Sequence, residues 1–360
     1  PITLIKCYLV CIQTMRFFLE TGFGMAKTSY GGSTQNPYMG LVQGSGAAPA
    51  AWTAISTVML SAYKSKGYGA HFLTAWSGIV LSIAALLYVD DKDLLHMCPS
   101  SVTSENAFCQ QVQDATYYWA SLLQSTGGDL KPEKCYWYLL SYKFVQGKAV
   151  LKPLREINRH RIQILQPNSM NVSIHLKDPT QALEVLGIWS CPASTGQAQL
   201  DHMIKRGRKW GNRVHHNSLQ PAEVWQSFTT QALPSVKYGL IVLMSPRKEV
   251  DDAFSSWYYS VLPATGVNHN IACEWRTLPV RFQGLGLSQM SLEKLATSLQ
   301  FLQKHWGTED SMGWILCCTF KLSQLDIGLS GNYLLQEYNV YSKLATHSWF
   351  KILWEYAQYY

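Results

Sequence analysis

Asp90 and Asp91 stand side by side in Tyr88-Val89-Asp90-Asp91, at the end of a stretch from Phe72 to Val89 that carries no formal charge. Adjacent carboxylates ending an apolar run repel each other, and a divalent cation is the natural guest to neutralise them. Mg²⁺ takes one or two carboxylates plus substrate phosphates, and paired metals stabilise both the attacking and the leaving oxygen in phosphoryl transfer. A second acidic pair, Asp251-Asp252, reads as a solvated helix start and needs no such guest.

The elements that must hold the first pair follow from its flanks. Ile79 to Val89 is rich in Ile, Leu and Val, and Leu94-Leu95-His96-Met97 follows the acids. That pattern predicts strand, tight turn and strand, with successive side chains on opposite faces. Upstream lies QGSGAAPAAW, from Gln43 to Trp52. Gly44 and Gly46 allow close backbone approach to a ligand, and Pro49 suits the first turn of a helix. Trp52, Ile55, Met59 and Ala62 recur at helical spacing as one buried stripe, with Lys64 and Lys66 at the exit where cations suit the helix dipole.

Together these segments resemble the palm of a reverse transcriptase of the non-LTR retrotransposon type. That family has a QG-x-x-x-x-P element opening a helix beside the nascent base pair, then a Y-x-D-D turn bearing metal-binding aspartates. TGFGMAKTSYGG (Thr21 to Gly32) looks like the segment before the QG element, and YVDDKDLLH like the extended acidic turn. GGDLKPEKCYW (Gly127 to Trp137) resembles the later glycine-and-lysine motif, and ALEVLGI (Ala182 to Ile188) the Leu-Gly strand before the thumb. The five matches keep the family order across roughly half of the chain.

The resemblance implies roles position by position. Asp90 is similar to the invariant metal ligand and Asp91 to its partner, with Mg²⁺ (or Mn²⁺) as the cofactor. Gln43, Gly44 and Tyr88 match residues beside the primer-template and the nucleotide. Lys134 matches the lysine proposed to protonate the leaving pyrophosphate, with Lys131 three residues away. The implied partners are an RNA template, a DNA primer and deoxynucleoside triphosphates. The family's first catalytic aspartate precedes the QG element, yet Glu20 is the single acid between Pro1 and Val89 and reads as the end of a helix. The expectation is an N-terminally truncated copy, lacking the fingers and first palm strand, that binds metal poorly and does not polymerise DNA alone. The missing N-terminal part of the same polypeptide then becomes a candidate partner.

The remaining sequence is consistent with a polymerase fragment. Its 360 residues, 47% hydrophobic and 15% charged, are enough for two or three subdomains, and the net charge of +7 suits a nucleic acid partner. Nine cysteines without a CxxC pair read as reduced core residues, which favours a nuclear or cytoplasmic location. The uncharged run is interrupted by Thr74, Ser77, Gly78 and Ser82 and ends in acids, so it reads as two buried strands rather than a membrane span. Lys143 to Arg161 is a basic surface, and Pro153 and Pro167 suggest loop or connection. The cluster Lys205, Arg206, Arg208, Lys209 and Arg213, with His215 and His216, lies where the family has its thumb. A helix gripping phosphates produces that pattern, although Gly207 and Gly211 weaken it by roughly 1 kcal/mol each.

The predicted fold class is α+β: a partial polymerase palm of antiparallel strands with flanking helices, then an all-helical thumb and C-terminal extension. The expected boundaries are 1–150 for the incomplete palm, 151–190 for its end and connection, 191–262 for the thumb-like segment and 263–360 for the extension, whose aromatic end, Tyr341 to Tyr360, reads as one helix. The competing function is a catalytically dead nucleic-acid-binding remnant of a retroelement.

Overall fold

The computed structural model describes residues 2–31, 35, 48–73, 78, 80–88, 91–99, 104–157, 160–166 and 170–360. The chain is α+β. In order, it forms α1 (Ile2–Thr14), β1 (Arg16–Thr21), β2 (Gly24–Gly31), α2 (Ala48–Ser65), β3 (Ala70–Leu73), β4 (Val80–Ile83), β5 (Ala85–Tyr88), β6 (Asp91–Leu94), α3 (Glu105–Ser125) and β7 (Tyr136–Tyr138). Next come β8 (Tyr142–Val145), β9 (Lys148–Leu151), β10 (Ile162–Leu165), β11 (Asn171–Lys177), β12 (Leu183–Val185) and β13 (Ile188–Ser190). The rest is helical: α4 (Gln197–His216), α5 (Pro221–Ser227), α6 (Leu233–Lys237), α7 (Arg247–Ala264), α8 (Cys273–Thr277), α9 (Met290–His305), α10 (Ser311–Ile327), α11 (Tyr338–Tyr341) and α12 (Trp349–Tyr359).

The chain divides into two units. The first comprises Pro1–His71, Ser82–Trp137 and Asn158–Leu176, and the second Phe72–Leu81, Tyr138–Ile157 and Lys177–Tyr360. In the first unit, α2 and α3 supply a core of Met59, Tyr63, Ala115, Trp119 and Leu123, joined by Ala84 and by Leu87 and Leu94 of the β5–β6 hairpin. Ser104 starts α3, its side chain accepting the Ala107 N–H, which satisfies one of the donors a helix start leaves open. Gln113 on α3 clips the strand β10: its Nε2 donates to the Gln163 carbonyl at 2.8 Å and its Oε1 accepts the Gln163 N–H at 2.7 Å. Ile162 and Ile164 of that strand are buried. Tyr63, fully buried at the end of the α2 stripe, bonds through its hydroxyl to His96 Nε2 at 2.6 Å, and burial holds the His96 pKa below its ordinary value.

In the second unit, α4 packs on α7 through a glycine seam. A Cβ placed on Gly207 would lie 1.9 Å from the Trp257 ring, and one on Gly211 would lie 2.9 Å from Ser260 Oγ. These glycines therefore let two helices approach closely, an advantage that outweighs their poor helix propensity. Leu200, Met203, Val214, Phe254, Trp257 and Val261 fill the surrounding core. A second cluster gathers Phe350, Leu353, Trp354 and Tyr356 of α12 with Leu295, Leu316, Ile327 and Tyr333. Trp354 is 0% exposed, and its indole N–H donates to the Gln336 carbonyl at 2.9 Å.

Several local expectations change. Glu20 lies on β1, opposite Met25, rather than at a helix end. In the uncharged run β5 is exposed on one side, because α2 and α3 cover only the other: Leu86 and Tyr88 are 57% and 61% exposed. Residues 143–161 include the β8–β9 hairpin, turned at Gln146 and Gly147 with positive φ. The Leu-Gly segment is a hairpin as well, turned at Leu186 and Gly187, whose φ values of 52° and 79° match the tight two-residue turn that joins antiparallel strands. Of the cysteines, Cys7, Cys11, Cys98 and Cys273 are exposed rather than core, and all nine are free thiols. The final helix starts at Trp349, where Ser348 caps it, instead of at Tyr341. Among the described residues no helix is long and apolar enough to cross a membrane.

Two outcomes test this packing. Gly207→Ala is expected to cost about 1–3 kcal/mol through overpacking against Trp257, read as a lower urea midpoint. Lys294 is 2% exposed, its ammonium 5.1 Å from the Tyr356 ring centroid. Burial lowers its pKa to about 8, against an opposing pull from Glu355. An unfolded lysine keeps its proton to a higher pH, so stability should rise as pH climbs from about 8 towards 9.5, by up to about 1.4 kcal/mol per unit. Lys294→Met should abolish that rise in urea melts taken across the same range.

Candidate functional site

The acidic hairpin is built by strict alternation. β5 and β6 pair antiparallel, with Leu86 opposite Asp93, Leu87 opposite Lys92 and Tyr88 opposite Asp91. Leu87 and Leu94 turn to the core, so Leu86, Tyr88, Asp91 and Asp93 share the outer, exposed face. The Asp93 carboxyl pKa is raised, first by desolvation and then by the Asp91 charge. The Tyr136 phenol at the start of β7 is also raised, by burial and then by Asp93 and Asp91. That residue therefore lies within the field of the two carboxylates.

Lys92 occupies the opposite face. Its ammonium is 5.0 Å from the Trp52 ring centroid on α2 and 5.7 Å from that of Trp119 on α3. Cation contact with an indole face is favourable at these distances. The sequence signal was the alternation Asp91-Lys92-Asp93, which the acidic-turn reading passed over. The same lysine acts on Cys135: burial and Glu133 raise that thiol's pKa, while Lys92 opposes them.

The other expected residues are distributed as follows. Lys134 ends a short 3₁₀ turn, Pro132–Lys134, and is exposed, as is Lys131. Cys135 and Tyr136 feel the charges of Lys92 and of Asp91 and Asp93, so the chain just after Lys134 runs beside the hairpin. Gln43, Gly44 and Asp90 lie outside the described residues. Among the described residues no three His, Cys, Asp or Glu side chains gather as a metal cluster. Asp91 and Asp93 nevertheless offer hard oxygen donors on one face, a donor type that suits Mg²⁺ or Mn²⁺.

In the second unit, α4 carries Lys205, Arg206, Arg208, Lys209 and Arg213 on its exposed side, away from the buried Leu200, Met203, Gly207, Gly211 and Val214. Lys205, Lys209 and Arg213 follow one another at four-residue spacing, where like charges repel. None of the five makes an ion pair among the described residues. Arg208 stands apart from the others: it lines an open cleft of about 340 Å³ with Glu249 and Asp252 of α7, over Leu200, Ile204 and Ala253. Its guanidinium sits in a field of mixed sign, whereas the other four form the basic surface proper.

No family model, no curated protein and no solved structure matches the chain.

Proposed function

We propose that the chain is a fragment of an RNA-directed DNA polymerase, a reverse transcriptase of the non-LTR retrotransposon type. The first unit would hold a partial palm, and the helices of the second a thumb-like segment with a C-terminal extension. The observation that carries this reading is the register of the acidic hairpin, in which Tyr88 pairs with Asp91 and presents it outward. That arrangement suits a Tyr-x-Asp-Asp element serving a nucleotidyl transfer.

In this reading Asp90 and Asp91 hold Mg²⁺ or Mn²⁺, which supplies charge neutralisation for the attacking and leaving oxygens. By the resemblance, Gln43, Gly44 and Tyr88 would be the residues that contact the primer-template and the incoming nucleotide. Lys134 would give a proton to the departing pyrophosphate, a role open to an exposed ammonium at the edge of the site. Catalysis would then be positioning plus electrostatics, with the primer 3′-hydroxyl displacing pyrophosphate from the α-phosphate. The substrates would be an RNA template, a DNA primer and deoxynucleoside triphosphates, in the nucleus or cytoplasm. Weak metal binding and no primer extension are expected of the chain alone, since Glu20 is the single acid upstream of Val89 where the family has its first aspartate.

A second reading, a catalytically dead nucleic-acid-binding remnant, is favoured by the basic face of α4. Phosphates would relieve the repulsion among its charges and set register without reading sequence.

The two readings part on substitution. If the hairpin is a cation site, Asp91→Asn and Asp90→Asn should each weaken Mn²⁺ binding at least tenfold in an electron paramagnetic resonance titration. If the chain is only a remnant, both variants should bind Mn²⁺ like the native chain and keep full affinity for an RNA–DNA hybrid. Replacing Lys205, Lys209 and Arg213 together with Ser should weaken hybrid binding for all sequences alike. The slope of log K against log salt should then fall by roughly 2 to 3, read by fluorescence anisotropy.

A further inference from the structure

We propose that Lys92 is a positioning residue for the acidic hairpin, a role that rests on the cation-binding reading of Asp90 and Asp91. Its ammonium is held between the rings of Trp52 and Trp119, and this contact ties β6 to α2 and α3 together. Lys92 sits between Asp91 and Asp93 in sequence but on the other face of the strand. A one-residue slip in pairing would exchange the faces and lay Asp91 and Asp93 on the two indoles. Indole faces carry negative charge density, so they attract an ammonium and repel a carboxylate. The aromatic pair thus selects the register in which the carboxylates face outward.

An apolar residue at position 92 would also favour the inner face, but it would lack the directional pull that sets the hairpin over Trp52. Trp52 lies in the second turn of α2, the helix that follows the Gln43–Gly44 segment. Lys92 therefore links the strand that follows the aspartate pair to the second turn of α2. Lysine on an ordinary strand face would reach into water, yet this one is half-buried behind the carboxylates.

The test is Mn²⁺ affinity of the full chain, with thermal melting to verify that each variant folds. Lys92→Met should weaken Mn²⁺ binding at least fivefold, and Lys92→Arg, which preserves the cation on the rings, should restore it to within twofold of native. Trp52→Leu should reproduce the loss. The double variant should be no weaker than the worse single one, because both remove the same link. Should Lys92→Met not fold, Trp52→Leu, which leaves the lysine in place, carries the same expectation. Unchanged binding in the folded variants would reduce Lys92 to a packing role, and tighter binding would make its charge a competitor of the metal. Either result overturns the proposal while Asp91→Asn still weakens binding at least tenfold and the cation site stands. If Asp91→Asn binds as well as the native chain, the cation-site reading itself fails and the role of Lys92 falls with it.

Discussion

A two-stranded hairpin has one face to bury, and in the first unit that constraint decides where the chemistry goes. α2 and α3 cover the inner side of β5–β6, and the period-two alternation of the strands leaves the other side to solvent. Leu87 and Leu94 go in, while Asp91 and Asp93 go out. The stripe of α2, its partner stripe on α3 and the hairpin are thus parts of one packing problem. Trp119 and Tyr63 belong to the core, and Trp119 also contacts the cation behind the carboxylates.

The second unit applies the same separation to helices. α4 gives one side to Trp257 and its neighbours and the other to four basic side chains, with Arg208 at the cleft beside α7. A helix with so much like charge is held by what lies beneath it, since little of its stability can come from its own surface pairs. The aromatic cluster around Trp354 has a comparable place in the C-terminal region, where Trp349, Trp354 and Tyr356 each donate a hydrogen bond to a backbone carbonyl. In these three side chains the ring packs in the cluster while its polar atom reaches a backbone acceptor.

What the sequence made legible was local and periodic. The Trp52–Met59 stripe, the strand before Asp90 and the basic run of α4 all show at their expected period, and α+β follows from them. Residues whose role depends on a distant partner were not legible. Nothing near Gly207 announces Trp257, fifty residues on, so the glycine read as a weak point. Lys92 read as part of an acidic turn because its two indoles come from separate helices. Leu186 read as strand because a leucine rarely adopts positive φ, and only the paired chain on either side reveals the turn. α3 was missed altogether, although Ser104 followed by Cys109, Trp119 and Leu123 carries a cap and an apolar face. Its signal lay outside any motif.

The seam of α4 also governs how this chain can change over time. Its charged positions point into water, so they can drift one at a time with little effect on folding. Gly207 and Gly211 have no such freedom, because even a methyl group meets the neighbouring helix. In a relative still required to fold but not to keep this surface, the charges of α4 would be lost first and the glycines would persist. The ratio of lost charges to lost glycines among relatives would therefore record which constraint was lifted.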